Sequence, residues 1–232
     1  MLAYCAVFVL IATTPPDTLD GVTFAKSRST LYAAVVDIGK AFGWPVAYRR
    51  GVAYLNNKPI PQTSKELVDG TKLMSLRGLE KWGASTVWNE NRKVALVDVD
   101  GMQVYVRLGQ KRAVINKSEQ ELKGWQGQRV VFASKVSTGR RGYRTPSGTF
   151  GAGPYKARMH YSSLYENAAM PWSVQVTGNV FVHGFRSVSG RPSSHGCIRL
   201  PMRGNNPAKW FYDWVEEGTP IVIAGKWPGH KQ

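Results

Sequence analysis

"VHGFRSVSGRPSSHGCIRLP" (residues 182–201) decides how this chain is read. It holds one of the two cysteines and two of the four histidines. A thiol attacks a carbonyl only as the thiolate, so it needs a base, cationic surroundings and donors aimed at the oxyanion that forms. The stretch offers all three. Gly196 has no side chain, so the backbone there can turn sharply and present the N–H groups of Gly196 and Cys197 towards one point. Arg199 faces the same way as Cys197 if the segment is extended, and would add positive charge for a substrate carboxylate. Two histidines are candidates for the base. His195 is close in sequence, and His183 ends the strand-like "NVFVHG" (179–184). Spacing does not choose between them, and His160 and His230 lie further away. The plain alternative is a buried, inert cysteine. A zinc site from His160, His183, His195 and Cys197 lacks the C-x₂-C or H-x₃-H spacing of such sites. No metal and no cofactor are expected.

Outward from this stretch, the charge is uneven. The net charge is +16, with 12 Lys and Arg against 9 Asp and Glu in residues 1–100 and 19 against 6 in residues 101–232. The basic half should be drawn to a polyanion. Neither a zinc finger nor an RNA-binding signature is present, so nucleic acid is not the expected partner. For an exported protein the polyanion would be a bacterial wall, with its peptide carboxylates and phosphate polymers, while a solvated surface alone would explain much of the charge. Residues 1–20 contain an apolar run from Leu2 to Ala12, too short for a spanning helix and suited to the centre of a signal peptide. A signal peptide or N-terminal anchor is expected, with export to the periplasm or cell wall and no other membrane span. Cys5 lies in this run. With the run removed, Cys197 is the only thiol, no intramolecular disulfide is possible, and a lone thiol in an oxidising compartment is a hazard unless it is used.

Residues 21–100 have an internal repeat. "AFGWPVAY" (41–48) and "KWGASTVW" (81–88) align at an offset of 40 residues. Each follows a helix-like stretch (31–42 and 73–82) and precedes a strand-like one (51–57 and 92–99), which predicts a small α+β domain. It has no Cys or His, so nucleophilic or metal chemistry is not expected there. From residue 101 onward the pattern is mostly β, a sandwich or barrel. "MQVYVRL" (102–108) and "RAVINK" (112–117) predict a hairpin turning at Gly109–Gln110. Further strands are expected at 129–138, 172–178, 179–184 and 219–225. One late helix is predicted in "NNPAKWFYDWVEEG", capped by Asn206, with Pro207 in its first turn, Gly218 at its end, and Trp210 and Trp214 on its buried face.

"VHGFRSVSGRPSSHGCIRLP" resembles the active-site signature of bacterial L,D-transpeptidases of the YkuD type. "RRGYRTPSGTFGAG" (140–153) is similar to that family's "G…TPxGxF" segment, and "HYSSLYENAAMPWSVQVTGNVFVHG" (160–184) to its run into the catalytic strand. The loop between His183 and Ser194 is short for the family. The resemblance implies a cysteine acyltransferase acting on peptidoglycan stem peptides, with Cys197 as nucleophile and His183 as base. Gly184 would orient the His183 ring through its carbonyl, and His195, Gly196 and Cys197 would line the oxyanion hole. Ser194 and Arg199 would shape the pocket, and Thr145, Pro146, Gly148 and Phe150 would lie near the substrate. The implied reaction is a 3→3 cross-link. Hydrolysis by an L,D-carboxypeptidase and a non-catalytic wall-binding role are the alternatives. An activated thiol implies a pKa well below the free value of about 8.5. "LMSLRGLEKWGASTVW" (73–88) is similar to the copper-amine-oxidase N-terminal-like stalk module, an accessory domain.

Overall fold

The computed structural model describes residues 18–24, 27–61 and 64–228. Most of the expected signal peptide or anchor, Cys5 and His230 lie outside the described residues. Thr18–Asp20, expected in the leader, are instead part of the first strand.

The strand β1 (Thr18–Phe24) and β2 (Ser27–Ala34) lead into α1 (Val35–Phe42). Gly43 (φ 64°) closes that helix in the left-handed conformation. β3 (Val46–Arg49), β4 (Val52–Leu55) and β5 (Lys58–Pro59) form a three-stranded sheet of their own. After β6 (Lys65–Glu66), the unit recurs as β7 (Lys72–Ser75), a 3₁₀ helix (Leu76–Trp82) closed by Gly83 (φ 81°), β8 (Ser85–Asn89) and β9 (Val94–Val99). The repeat is therefore strand–helix–strand–strand, and its two capping glycines are the aligned ones. The predicted helices were too long at their starts. Tyr32, Ala33 and Ala34 pair with Ser75, Met74 and Leu73 as antiparallel strands, since ladder hydrogen bonds between the two copies satisfy this backbone.

β10 (Met102–Leu108) corrects a second expectation. It pairs antiparallel with β9 and parallel with β1, completing a seven-stranded sheet in the order β6-β7-β2-β1-β10-β9-β8. It makes no hairpin with β11 (Lys111–Asn116), which pairs with β12 (Glu121–Gln126) and with the last strand. Gly109–Gln110 is thus the crossing between two sheets. Gly109 donates to the Gly21 carbonyl (2.9 Å), and a Cβ there would meet the Gly127 nitrogen at 2.7 Å.

β13 (Arg129–Lys135), β12, β11, β19 (Pro220–Ala224) and β14 (Gly148–Gly151) form a five-stranded sheet in that order. β15 (Lys156–Ser162), β16 (Ala168–Thr177), β17 (Val180–Phe185) and β18 (Ile198–Pro201) form a four-stranded sheet. Val182, Ile198 and Leu200 from the second meet Ala113, Ile115, Leu122 and Ile221 from the first in one core. α2 (Pro207–Trp214) covers that core with Phe211 and Trp214, while Trp210 stacks on Phe132 at 4.4 Å. Asn206 caps it by accepting from the Lys209 N–H. The helix ends at Val215, short of Gly218. Lys111 donates to the Trp214 carbonyl, and Lys156 to those of Tyr212 and Val215, so cations satisfy the last turn.

The two halves share a seam. Val22, Ala34, Leu67 and Leu73 belong to the same core as β11, β12, β17 and β18. Fully buried Gln126 accepts from the Thr23 N–H (3.0 Å) and donates to the Thr23 hydroxyl (3.3 Å). Arg129 grips both oxygens of Asp37 (2.9 and 2.7 Å).

Candidate active site

His183 and Cys197 reach one pocket through strand register. β17 and β18 are parallel, with Val182 opposite Ile198 and His183 opposite Arg199. Side chains alternate across a strand. Val182, Ile198 and Leu200 therefore fill the core, while His183, Cys197 and Arg199 line the pocket on the other face. Ser194, His195, Phe185, Tyr165 and Met170 also line it.

The His183 Nδ1 lies 2.9 Å from the Gly184 carbonyl. A carbonyl only accepts, so Nδ1 carries the proton and Nε2 keeps the lone pair that makes the ring a base. Gly184 has no room for a side chain, because a Cβ would meet Met202 at 2.8 Å and the Ala208 methyl at 3.2 Å. Burial lowers the His183 pKa to about 4, despite the opposing bond to Gly184. The ring is neutral at pH 7.

Burial also pushes the Cys197 thiol up; a hydrogen bond from the Phe181 backbone and the charge of Arg199 oppose this without reversing it. The expected low thiol pKa is therefore corrected. Its sulfur sits 3.6 Å from the Asn179 carbonyl, an acceptor that suits a protonated thiol. Burial thus favours a protonated thiol beside a neutral imidazole.

The nucleophile loop is braced from within. Gly196 has φ 119°, a conformation in which side-chain-bearing residues are strained. Its N–H donates to the Ser194 hydroxyl (3.1 Å), which in turn donates to the Cys197 carbonyl (2.5 Å). The Gly196 N–H, expected in the oxyanion hole, is thus engaged inside the loop. Arg199 lies 3.9 Å over the Phe185 ring and donates to the Ser193 carbonyl (3.3 Å). Its Nε is buried with no hydrogen-bond partner among the described residues.

The "TPSG" segment lies outside this pocket: Thr145, Pro146, Gly148 and Phe150 do not line it. Thr145 is buried behind the nucleophile loop, accepting from Gly139 and donating to the Gly196 carbonyl. Gly148 and Phe150 are held in β14 opposite Ile223 and Ile221, with Phe150 against the core. A strand partner claims these residues, and sequence similarity cannot see that partner.

His195 stacks on Tyr165 (4.4 Å) and meets Tyr143 edge-on (4.9 Å). Tyr165 and Met170 were missed as site residues, although both lie in "HYSSLYENAAMP"; exposed Tyr in a turn was the available signal. His160 stacks on Phe181 and bonds Tyr155, apart from the pocket wall. Among the described residues, no three His, Cys, Asp or Glu side chains are grouped to hold a metal.

Residues 110–223 match the family model of the L,D-transpeptidase catalytic domain, YkuD. No curated protein matches the chain. Among solved structures, an L,D-transpeptidase (Yku) from Stackebrandtia nassauensis is 24% identical, covering 53% of this chain and 58% of its own, with a TM-score of 0.47. The chain thus spans little more than half of that protein. An L,D-transpeptidase from Mycobacterium smegmatis is 18% identical over 89% of this chain and 94% of its own (TM-score 0.45). One from Mycobacterium tuberculosis H37Rv is 16% identical over 92% and 96% (TM-score 0.45).

Proposed function

We propose that this protein is an exported peptidoglycan L,D-transpeptidase. The observation that carries the reading is the pairing of Cys197 with a buried, neutral His183, oriented by Gly184, on one face of the β17–β18 ladder. The family match over residues 110–223 supports it.

In the acylation step, the Cys197 sulfur attacks the carbonyl between the third and fourth residues of a stem tetrapeptide, and His183 Nε2 takes the thiol proton. The tetrahedral intermediate collapses, its C–N bond breaks, and His183 returns the proton to the departing D-Ala amine. A diamino-acid amine of a second stem then attacks the thioester, giving its proton to His183, and the thiol leaves reprotonated. Neutral His183 is competent for both transfers at pH 7. The Arg199 guanidinium, in the pocket wall beside the thiol, would offer its charge to a stem carboxylate. The pocket itself, about 60 Å³, holds no whole stem, so the peptide must lie across it.

Between Gly139 and Arg203 the chain has nine Lys and Arg and a single carboxylate side chain, Glu166. This surface suits an anionic wall. Raising salt from about 0.05 M to about 0.5 M should release the protein from isolated walls, since exposed charges are then screened; retention at high salt would sink that part of the reading.

The deciding experiment is mass spectrometry of the protein with a disaccharide-tetrapeptide, beside Cys197→Ala. A Cys197-dependent dimer lacking one D-Ala is expected. A tripeptide monomer alone would make water the acceptor, and no change in either sample would leave a wall-binding protein.

A further inference from the structure

Two buried polar side chains on the turn between β11 and β12 have no part in the chemistry above. Lys117 is 7% exposed and Gln120 2%. The Lys117 ammonium donates to the Thr145 carbonyl (3.1 Å) and the Ser147 hydroxyl (2.6 Å). Among the described residues it makes no salt bridge. Burial, and then the charge of Arg144, lower its pKa. A buried ammonium held only by neutral oxygens costs stability, so its placement calls for a reason.

Both side chains lead to the nucleophile loop. Gln120 donates to the Lys117 carbonyl and the Thr138 hydroxyl (both 2.7 Å) and accepts from the Thr138 N–H (2.9 Å). The Thr138 carbonyl then accepts from Ser193 (2.8 Å) and Ser194 (3.0 Å). Lys117 fixes the backbone of Thr145, whose hydroxyl donates to the Gly196 carbonyl at 2.7 Å. The Gly196 carbonyl and the Cys197 N–H belong to one peptide unit. Drawing electron density towards that oxygen makes the N–H a stronger donor, because the amide is conjugated and hydrogen bonds in series polarise one another. The neighbouring Gly196 N–H is already committed to Ser194.

We propose that Lys117, Gln120 and Thr145 are positioning residues: they clamp residues 138–145 beneath the nucleophile loop, and the Thr145 hydroxyl strengthens the Cys197 N–H as donor to the oxyanion. This assignment rests on the acyl-transfer reading of Cys197. It gives the "TPSG" threonine a role through the peptide of the nucleophile rather than through substrate.

Two probes separate the oxyanion from the thiol. p-Nitrophenyl acetate acylates Cys197 through a tetrahedral oxyanion, whereas iodoacetamide alkylates it without one. Thr145→Val should slow acylation about 10- to 100-fold, below the loss on deleting a donor outright. Alkylation at the same pH should change by less than about 2-fold, since the thiol and its base are untouched. Thr145→Ser, which keeps the hydroxyl, should restore most of the acylation rate. Lys117→Met should act in the same direction as Thr145→Val. Equal losses in both reactions would reduce Thr145 to a structural brace and overturn the proposal, as would unchanged acylation in Thr145→Val. If Lys117→Met does not fold, the Thr145 pair decides alone. A wild-type protein alkylated at Cys197 but never acylated would instead overturn the acyl-transfer reading itself.

Discussion

Residues 1–100, which build most of the seven-stranded sheet, and residues 101–232, which hold the candidate site, differ in nearly everything but packing. Residues 1–100 carry a net charge of +3 and no histidine; residues 101–232 carry +13 and all four. The first half satisfies its polar groups locally, with ion pairs at its surface such as Lys72–Glu66 and Lys93–Glu90. The second keeps polar side chains inside: Lys117, Gln120, Thr138, Thr145, Ser194 and His183 are all buried. Buried polar groups cost free energy unless they are satisfied, and a satisfied network rigidifies what it holds. The contrast teaches where a site can be held rigid: the half with the costly interior is the one that braces the loop of Cys197.

The sharpest test of this contrast is His183→Ala. Acylation of Cys197 should fall by about 10²- to 10⁴-fold, the usual worth of a positioned base. The rate is read by mass spectrometry under single-turnover conditions, and wild-type acylation in the variant would move the base to His195. A change of equal purpose in the N-terminal half, Trp88→Ala at an exposed position, should leave that rate unchanged.

The second test is stability against pH. Unfolded, His183 takes up a proton near pH 6.5; folded, it does so only near pH 4. Between these values the unfolded chain binds more protons, so stability is full above about 6.5 and falls as pH drops through the window. The loss should reach about 3.5 kcal/mol, at about 1.4 kcal/mol per pKa unit. Urea unfolding of wild type and His183→Ala at several pH values would show it as a slope that the variant lacks. An equal slope in both would assign the acid sensitivity to other groups. The acid limb of acylation should likewise lie near pH 4 rather than 6.5.

The seam gives smaller effects. Gln126→Leu leaves the buried Thr23 N–H without its acceptor and should cost about 1–3 kcal/mol, with the acylation rate unchanged. A lowered rate at full folding would mean that the N-terminal sheet reaches the site. Asp37→Asn, which breaks a half-exposed ion pair with Arg129, should cost no more than about 1 kcal/mol; a loss above that, read by the same urea titration, would make this pair part of the core.

Much of the site was legible because its signals are short-range. His183, Gly184, Gly196 and Cys197 lie within fifteen residues, and Gly196 at φ 119° is a local demand that only glycine meets easily. The repeat was legible from Gly43 and Gly83, which end the two helical segments in the same conformation. β10 was not, since "MQVYVRL" alternates equally well beside β9 or β11, and long-range pairing decides between them. The roles of Thr145 and Phe150 were hidden for the same reason.

The residues alone were enough for the candidate thiol, the mostly β second half with its capped late helix, and the polarity of charge along the chain, because residue type and local backbone preference carry these. Tertiary structure alone decided that His183 rather than His195 shares the β17–β18 ladder with the thiol, that burial holds the pair neutral, and that Lys117 and Thr145 stand behind the loop. Those facts depend on which strands become neighbours and on what burial does to charge, and neither is a property of any short stretch of chain.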